Sequence, residues 1–111
     1  MQHDNSVPAY FIAQLLVSDI EVYRREYGRK VLQQLATARA KVLVASHSPT
    51  VLEGEWKATW TVIIEFPDRA TALRWYESDE YAPLKKLRLQ ELTTGGCAVL
   101  FDAYQSTRGV P

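Results

Sequence analysis

The stretch WTVIIEFPDRATALRWYESDEYAPL, residues 60–84, fixes the architecture. Trp60 to Phe66 is β-branched and aromatic with a single carboxylate, the chemistry of a strand. Pro67 cannot donate to a ladder and Asp68 accepts amide hydrogens, so the pair ends the strand and caps a helix. Ala72, Leu73 and Tyr76 then fall on one helical face. Ser78 and Asp79 close that helix and can cap a further one carrying Leu84, Leu87 and Arg88, where Pro83 is tolerated in the first turn. Trp75 and Tyr76 are adjacent, so one of them is expected to face outward.

Upstream, Ala9–Val17 (AYFIAQLLV) reads as a first strand between Pro8 and Ser18-Asp19. Ser18-Asp19-Ile20-Glu21 matches a capping box, with Ser18 as N-cap and Glu21 reaching back. Ile20, Tyr23, Tyr27, Val31 and Leu35 follow at steps of three and four, one apolar stripe that Gly28 weakens without ending. Lys41–Ala45 is a second strand and 46–49 a loop. Val51-Leu52 is expected to pair briefly before Glu53-Gly54-Glu55 turns the chain. Downstream, Thr93-Thr94-Gly95-Gly96 breaks the chain before a last strand, Cys97–Phe101. The order is that of an α+β, ferredoxin-like βαββαβ domain over 9–104: an antiparallel sheet with helices on one face. Residues 1–8 and 105–111 read as polar tails, with His3 solvated in the first.

Side chains alternate along a strand. In the first strand Phe11, Ala13 and Leu15 oppose Tyr10, Ile12, Gln14 and Leu16; in the third, Val62, Ile64 and Phe66 oppose Thr61, Ile63 and Glu65. Both faces are largely apolar, yet the helices suffice to cover one. The uncovered face is larger than a soluble monomer normally tolerates, and a second copy is the simplest cover. The expected assembly is a homodimer packed sheet to sheet.

The chain has 111 residues, enough for one domain with a core of its own. Thirteen basic and thirteen acidic residues cancel, which leaves no electrostatic footprint for nucleic acid or an anionic membrane. The single cysteine, Cys97, precludes an internal disulfide and a thiolate metal site; in its apolar run it reads as a small core residue. No apolar run approaches the roughly 20 residues of a membrane helix. MQHDNSVPAY has no basic segment followed by a hydrophobic stretch, so the expected location is the cytoplasm. There is no glycine-rich phosphate loop, nucleophile elbow or two-histidine motif.

Several segments together resemble the small bacterial proteins of the domain of unknown function 1330 group, in the dimeric α/β-barrel superfamily. They are AYFIAQ at 9–14, DIEVY at 19–23, VLEGEW at 51–56, VIIEFP at 62–67 and ALRWYESDEYAPLKKLR at 72–88. The similarity spans residues 9–102. It implies the ferredoxin-like fold and the dimer, and little chemistry, since the group has no general activity. The wider superfamily includes cofactor-independent monooxygenases acting on polyketide phenols, polyketide cyclases, lactone isomerases and haem proteins, with ligands in a pocket beside the sheet. Where relatives carry Arg-Gly-Gly at the end of the second strand, this chain has Ala45-Ser46-His47.

His47 stands at a strand end and titrates near neutrality without special help; it reads as a general acid or base on a phenol, enol or lactone, or as a solvated loop residue. Glu65 lies inside an apolar strand, where it serves either as a proton shuttle or in a salt bridge across the sheet. Gln14 holds the analogous slot of the first strand and orients a ligand or satisfies backbone groups. Tyr23 and Tyr27, with Trp60, are either plain core or the walls of a cavity for a flat aromatic ligand. Arg88, in a basic cluster with Lys85 and Lys86, is solvated or turned inward toward an anion. Glu77, Asp79 and Glu80 show no metal spacing. The functional expectation is an enzyme without cofactor or metal, acting by proton transfer on a small, partly aromatic or lactone- or polyketide-like metabolite. The alternative is a non-catalytic dimeric ligand-binding or accessory protein. Haem is disfavoured, with His47 as the one axial imidazole in the folded region.

Overall fold

The computed structural model describes residues 7–105. His3 and most of both tails lie outside the described residues. Four strands, β1 (Ala9–Val17), β2 (Lys41–Ser46), β3 (Trp60–Phe66) and β4 (Thr93–Asp102), form one antiparallel sheet in the order β2-β3-β1-β4. Phe11 pairs with Ile64 on one side and Leu100 on the other, which sets the register of the central strands. The helices lie on one face of this sheet, against Phe11, Ala13, Leu15, Trp60, Ile64 and Phe66. The architecture is the ferredoxin-like βαββαβ fold expected from the sequence.

The first helix begins at Ile20–Tyr23, widens into a π-helical turn over Arg24–Gly28 and continues as Arg29–Thr37. Tyr23, Tyr27, Val31 and Leu35 follow one another at steps of four. Each such step overshoots an α-helical turn by about 40°. The wide turn, closed by the Arg29 amide on the Arg24 carbonyl, absorbs the excess, so all four side chains stay buried. Asp19, rather than Ser18, caps this helix, its carboxylate accepting from the amides of Glu21 (3.0 Å) and Val22 (3.2 Å). A carboxylate there also meets the positive end of the helix dipole.

Asp68 caps the second helix (Arg69–Tyr76) through the Thr71 amide at 2.7 Å, as its place after Pro67 predicts. The buried face of that helix is Ala72 and Trp75; Leu73 is 43% exposed, contrary to expectation. Trp75 and Tyr76 both pack inward, because Phe11 receives one ring at 5.8 Å and the other at 5.9 Å. The third helix (Ala82–Leu87) ends in a second π-helical turn, Arg88–Leu92.

Three further expectations are corrected. β4 starts at Thr93, not Cys97: the glycines do not break the strand but let it press against β1. A Cβ on Gly96 would stand 2.3 Å from the Gln14 carbonyl oxygen, and its φ of +126° suits glycine alone. Cys97 is exposed, because its register opposite Gln14 turns it to the uncovered face. Val51 and Leu52 form no strand; residues 47–59 are an extended excursion in which Leu52 is 89% exposed.

Candidate functional site

A cavity of about 540 Å³ lies between the first helix and the β2–β3 side of the sheet. Its walls are Phe11, Val31, Leu35, Val62, Ile64 and the rings of Tyr27, Trp60 and Trp75; Val42 and Ala45 close it from β2. Gly28 contributes a stretch of wall without a side chain. Glu21, Arg24, Arg25 and Arg29 stand around it from the outer row of the helix. Arg25 is paired with Glu26 at 3.0 Å, whereas Arg24 and Arg29 are in no ion pair among the described residues. The result is a greasy, aromatic chamber whose border holds three arginines and one glutamate.

Trp60 organises the inner end. Arg24 lies 5.4 Å from its ring centre, Tyr23 packs at 6.1 Å, and His47 stacks on it at 6.3 Å with the planes 16° apart. His47 is exposed at the end of β2, and its Nδ1 meets the Ser48 hydroxyl at 2.9 Å. Behind the cavity wall, the Tyr27 and Tyr81 hydroxyls meet at 2.5 Å, and Arg88 Nε donates to Tyr81 Oη at 3.4 Å. Burial pushes the Tyr23 phenol far above its ordinary range despite the opposing pull of Arg88. It lifts Tyr27 likewise, with help from the neighbouring tyrosines. Both are therefore neutral hydrogen-bonding groups near pH 7 and not bases. Arg88 is pinned in its charged form: the surrounding tyrosine oxygens outweigh the burial that opposes its charge.

The sequence candidates divide between two sides of the sheet. Tyr27 and Trp60 line the cavity, His47 sits against Trp60, and Tyr23 backs both rings. Arg88 turns inward but does not reach this cavity; Tyr27 and Tyr81 stand between. Glu65 and Gln14 point to the other face, away from the helices. Glu65 accepts a hydrogen bond from Tyr10 Oη at 3.0 Å rather than an ion pair, and that bond raises the Tyr10 phenol. Residues that sequence reading passed over are Arg24, Arg29 and Tyr81. The signal for the arginines was present: Glu21, Arg24, Gly28 and Leu32 run at steps of three and four beside the apolar stripe, the row a cavity's border would occupy. Among the described residues no cluster of His, Cys, Asp or Glu could hold a metal ion, and no helix is long and apolar enough to cross a membrane.

Comparison with known families matches residues 8–100 to a domain of unknown function, DUF1330. The chain belongs to the DUF1330 family. Among solved structures, the RPA0582 protein of unknown function from Rhodopseudomonas palustris is 16% identical, with a TM-score of 0.68 over 94% of this chain and 88% of that one. Its methylated form gives a TM-score of 0.72 at 16% identity, covering 93% and 85%. The "Putative antibiotic biosynthesis monooxygenase" from Bacteroides thetaiotaomicron is 18% identical over 95% of each chain, with a TM-score of 0.50. At such identities the likeness is one of fold, and it places this DUF1330 protein on the same ferredoxin-like framework. No curated protein matches the chain.

Proposed function

We propose that this DUF1330 protein is a cytoplasmic, cofactor-independent enzyme whose cavity takes a small, partly aromatic or lactone-like metabolite bearing negative charge. The observation that carries this reading is the chamber itself: about 540 Å³, walled by rings and branched aliphatics, with Arg24 and Arg29 at its border in no ion pair among the described residues. A flat apolar body would lie against the rings of Tyr27 and Trp60, while an enolate, phenolate or carboxylate edge would meet the guanidiniums. His47, which stacks on Trp60 outside the cavity's own lining, would be the group that moves a proton. Glu65, on the far side of the sheet, has no part in this chemistry. A solved structure on the same framework bears the name "Putative antibiotic biosynthesis monooxygenase", which supports small-molecule chemistry as one use of this fold.

A second reading, a non-catalytic ligand-binding protein, draws support from the exposure of His47, whose one hydrogen-bond partner among the described residues is the Ser48 hydroxyl. His47→Gln separates the two. An enzyme loses about 10²-fold or more in kcat toward a phenolic or lactone substrate while affinity holds. Binding by His47→Gln and wild type alike, with no turnover by either, leaves the binder. Ala45→Trp, which fills the chamber, abolishes binding under both readings; unchanged affinity in that variant places the ligand elsewhere.

The protein would work as a homodimer. Ile12, Ile63, Val44, Val99 and Phe101 share the helix-free face, and Phe101 is 58% exposed. The least dimension of the subunit is 16 Å, too thin for a third layer. Covering several hundred Å² of apolar sheet at about 25 cal/mol per Å² favours association before its entropic cost. Sedimentation at micromolar concentration should give twice the subunit mass.

A further inference from the structure

Arg88 is 5% exposed, its Nη2 has no hydrogen-bond partner, and no carboxylate pairs with it among the described residues. A guanidinium cannot shed its proton. Burial opposes that charge, and with tyrosine oxygens as its only described neighbours of opposite polarity Arg88 has no full counter-charge within the subunit. Its backbone is held in place, because the Thr93 hydroxyl donates to the Arg88 carbonyl at 2.9 Å where the π-helical turn meets β4.

Arg88 also walls a second pocket, of about 320 Å³, between the third helix and the start of β4. We propose that this pocket binds the carboxylate of a small organic monoanion, with Arg88 as its counter-charge. Tyr76 and Thr94 line the same pocket, and their hydroxyls make no hydrogen bond among the described residues, so the wall that Arg88 shares holds two neutral donors. The remaining wall includes Leu15, Leu89 and Ala98, suited to a short alkyl group. Charge selects a monoanion. Arg88 is the one cation in the wall among the described residues, and Lys85 is engaged with Tyr76, 4.3 Å over its ring and 3.4 Å from its carbonyl. A phosphate dianion would bring a second charge with nothing to meet it. The site stands apart from the large chamber and does not depend on what that chamber binds.

The test is a titration of the full-length protein followed by the Arg88 Nε–H resonance, adding sodium propionate, propionamide, sodium phosphate or sodium chloride at matched ionic strength. The expected result is a saturable shift with propionate alone, weakened about fivefold or more in both Thr94→Val and Tyr76→Phe, each of which removes one donor. Arg88→Met should abolish it. Because that variant strips a core residue, the two hydroxyl variants carry the test if it fails to fold. A non-saturating shift, an equal response to chloride or propionamide, tighter binding of phosphate, or unaltered affinity in both hydroxyl variants would overturn the proposal. So would a resonance that moves on dilution to the single subunit and not with propionate, which would make the occupant a side chain of the second copy.

Discussion

The two faces of the sheet are built from almost the same residues and meet different fates. Phe11, Ala13, Leu15, Ile64 and Phe66 are buried under helices; Ile12, Ile63, Val99 and Phe101, their alternates on the same strands, are not. The helix side carries the aromatic cavity and the Tyr27–Tyr81–Arg88 chain. The other side carries one notable polar contact, Tyr10 on Glu65. Hydrophobic content therefore does not distinguish a face packed within the subunit from one that no helix covers. What distinguishes them is whether the chain supplies a second layer.

Truncation of matched neighbours should break the symmetry most sharply. Phe11→Ala opens a void beneath Trp75 and Tyr76 and should cost about 3–5 kcal/mol, measured by denaturant unfolding at low concentration. Ile12→Ala, one residue along, should cost well under half as much there. Equal losses would mean that both faces are packed in the single subunit. Gly96→Ala strikes both faces through the β1–β4 ladder. Its new Cβ would also meet Leu15 Cα at 2.8 Å, so backbone must move, at a cost of about 2–4 kcal/mol in the same assay.

Alkaline titration sharpens the contrast further. Tyr23 and Tyr27 are raised by burial, so the folded state holds their protons while the unfolded chain releases them near pH 10. The stability they confer is complete below about pH 10 and is lost as pH climbs from there toward their folded values. Tyr10, raised first by its bond to Glu65, should ionise while the protein is still folded. Phenolate absorbance followed beside circular dichroism should show Tyr10 ionising with the fold intact, and Tyr23 and Tyr27 only as the fold is lost. Phe101→Lys is the smallest perturbation, within about 0.5 kcal/mol for the isolated subunit, yet it should shift the sedimentation equilibrium toward single chains.

Element order, the cap at Asp68 and the Tyr23–Leu35 stripe were legible because strand alternation, proline chemistry and helical spacing are local signals. The wide turns were not: steps of four suit an α-helix over any one interval, and the phase error accumulates only along the whole stripe. Cys97 was misplaced because parity along β4 depends on its register against β1, which Gly96 sets by close approach. Of the site, Tyr27 and Trp60 were readable as aromatic walls. The division of His47 from Glu65 and of Arg88 from the main chamber was not, since alternation assigns a residue to a face without saying what that face meets.

The wide turn at Arg24–Gly28 bears on how this helix can change length. From Tyr23 to Val31 it spends eight steps on two revolutions, where an ordinary coil would need about seven. Deleting one residue between Arg24 and Glu26 should thus tighten the coil and leave Val31 and Leu35 in phase with Tyr23. The same deletion between Lys30 and Gln34 would swing Leu35 by about 100° out of the core. A one-residue deletion in this helix has one position along the rod where it is nearly silent.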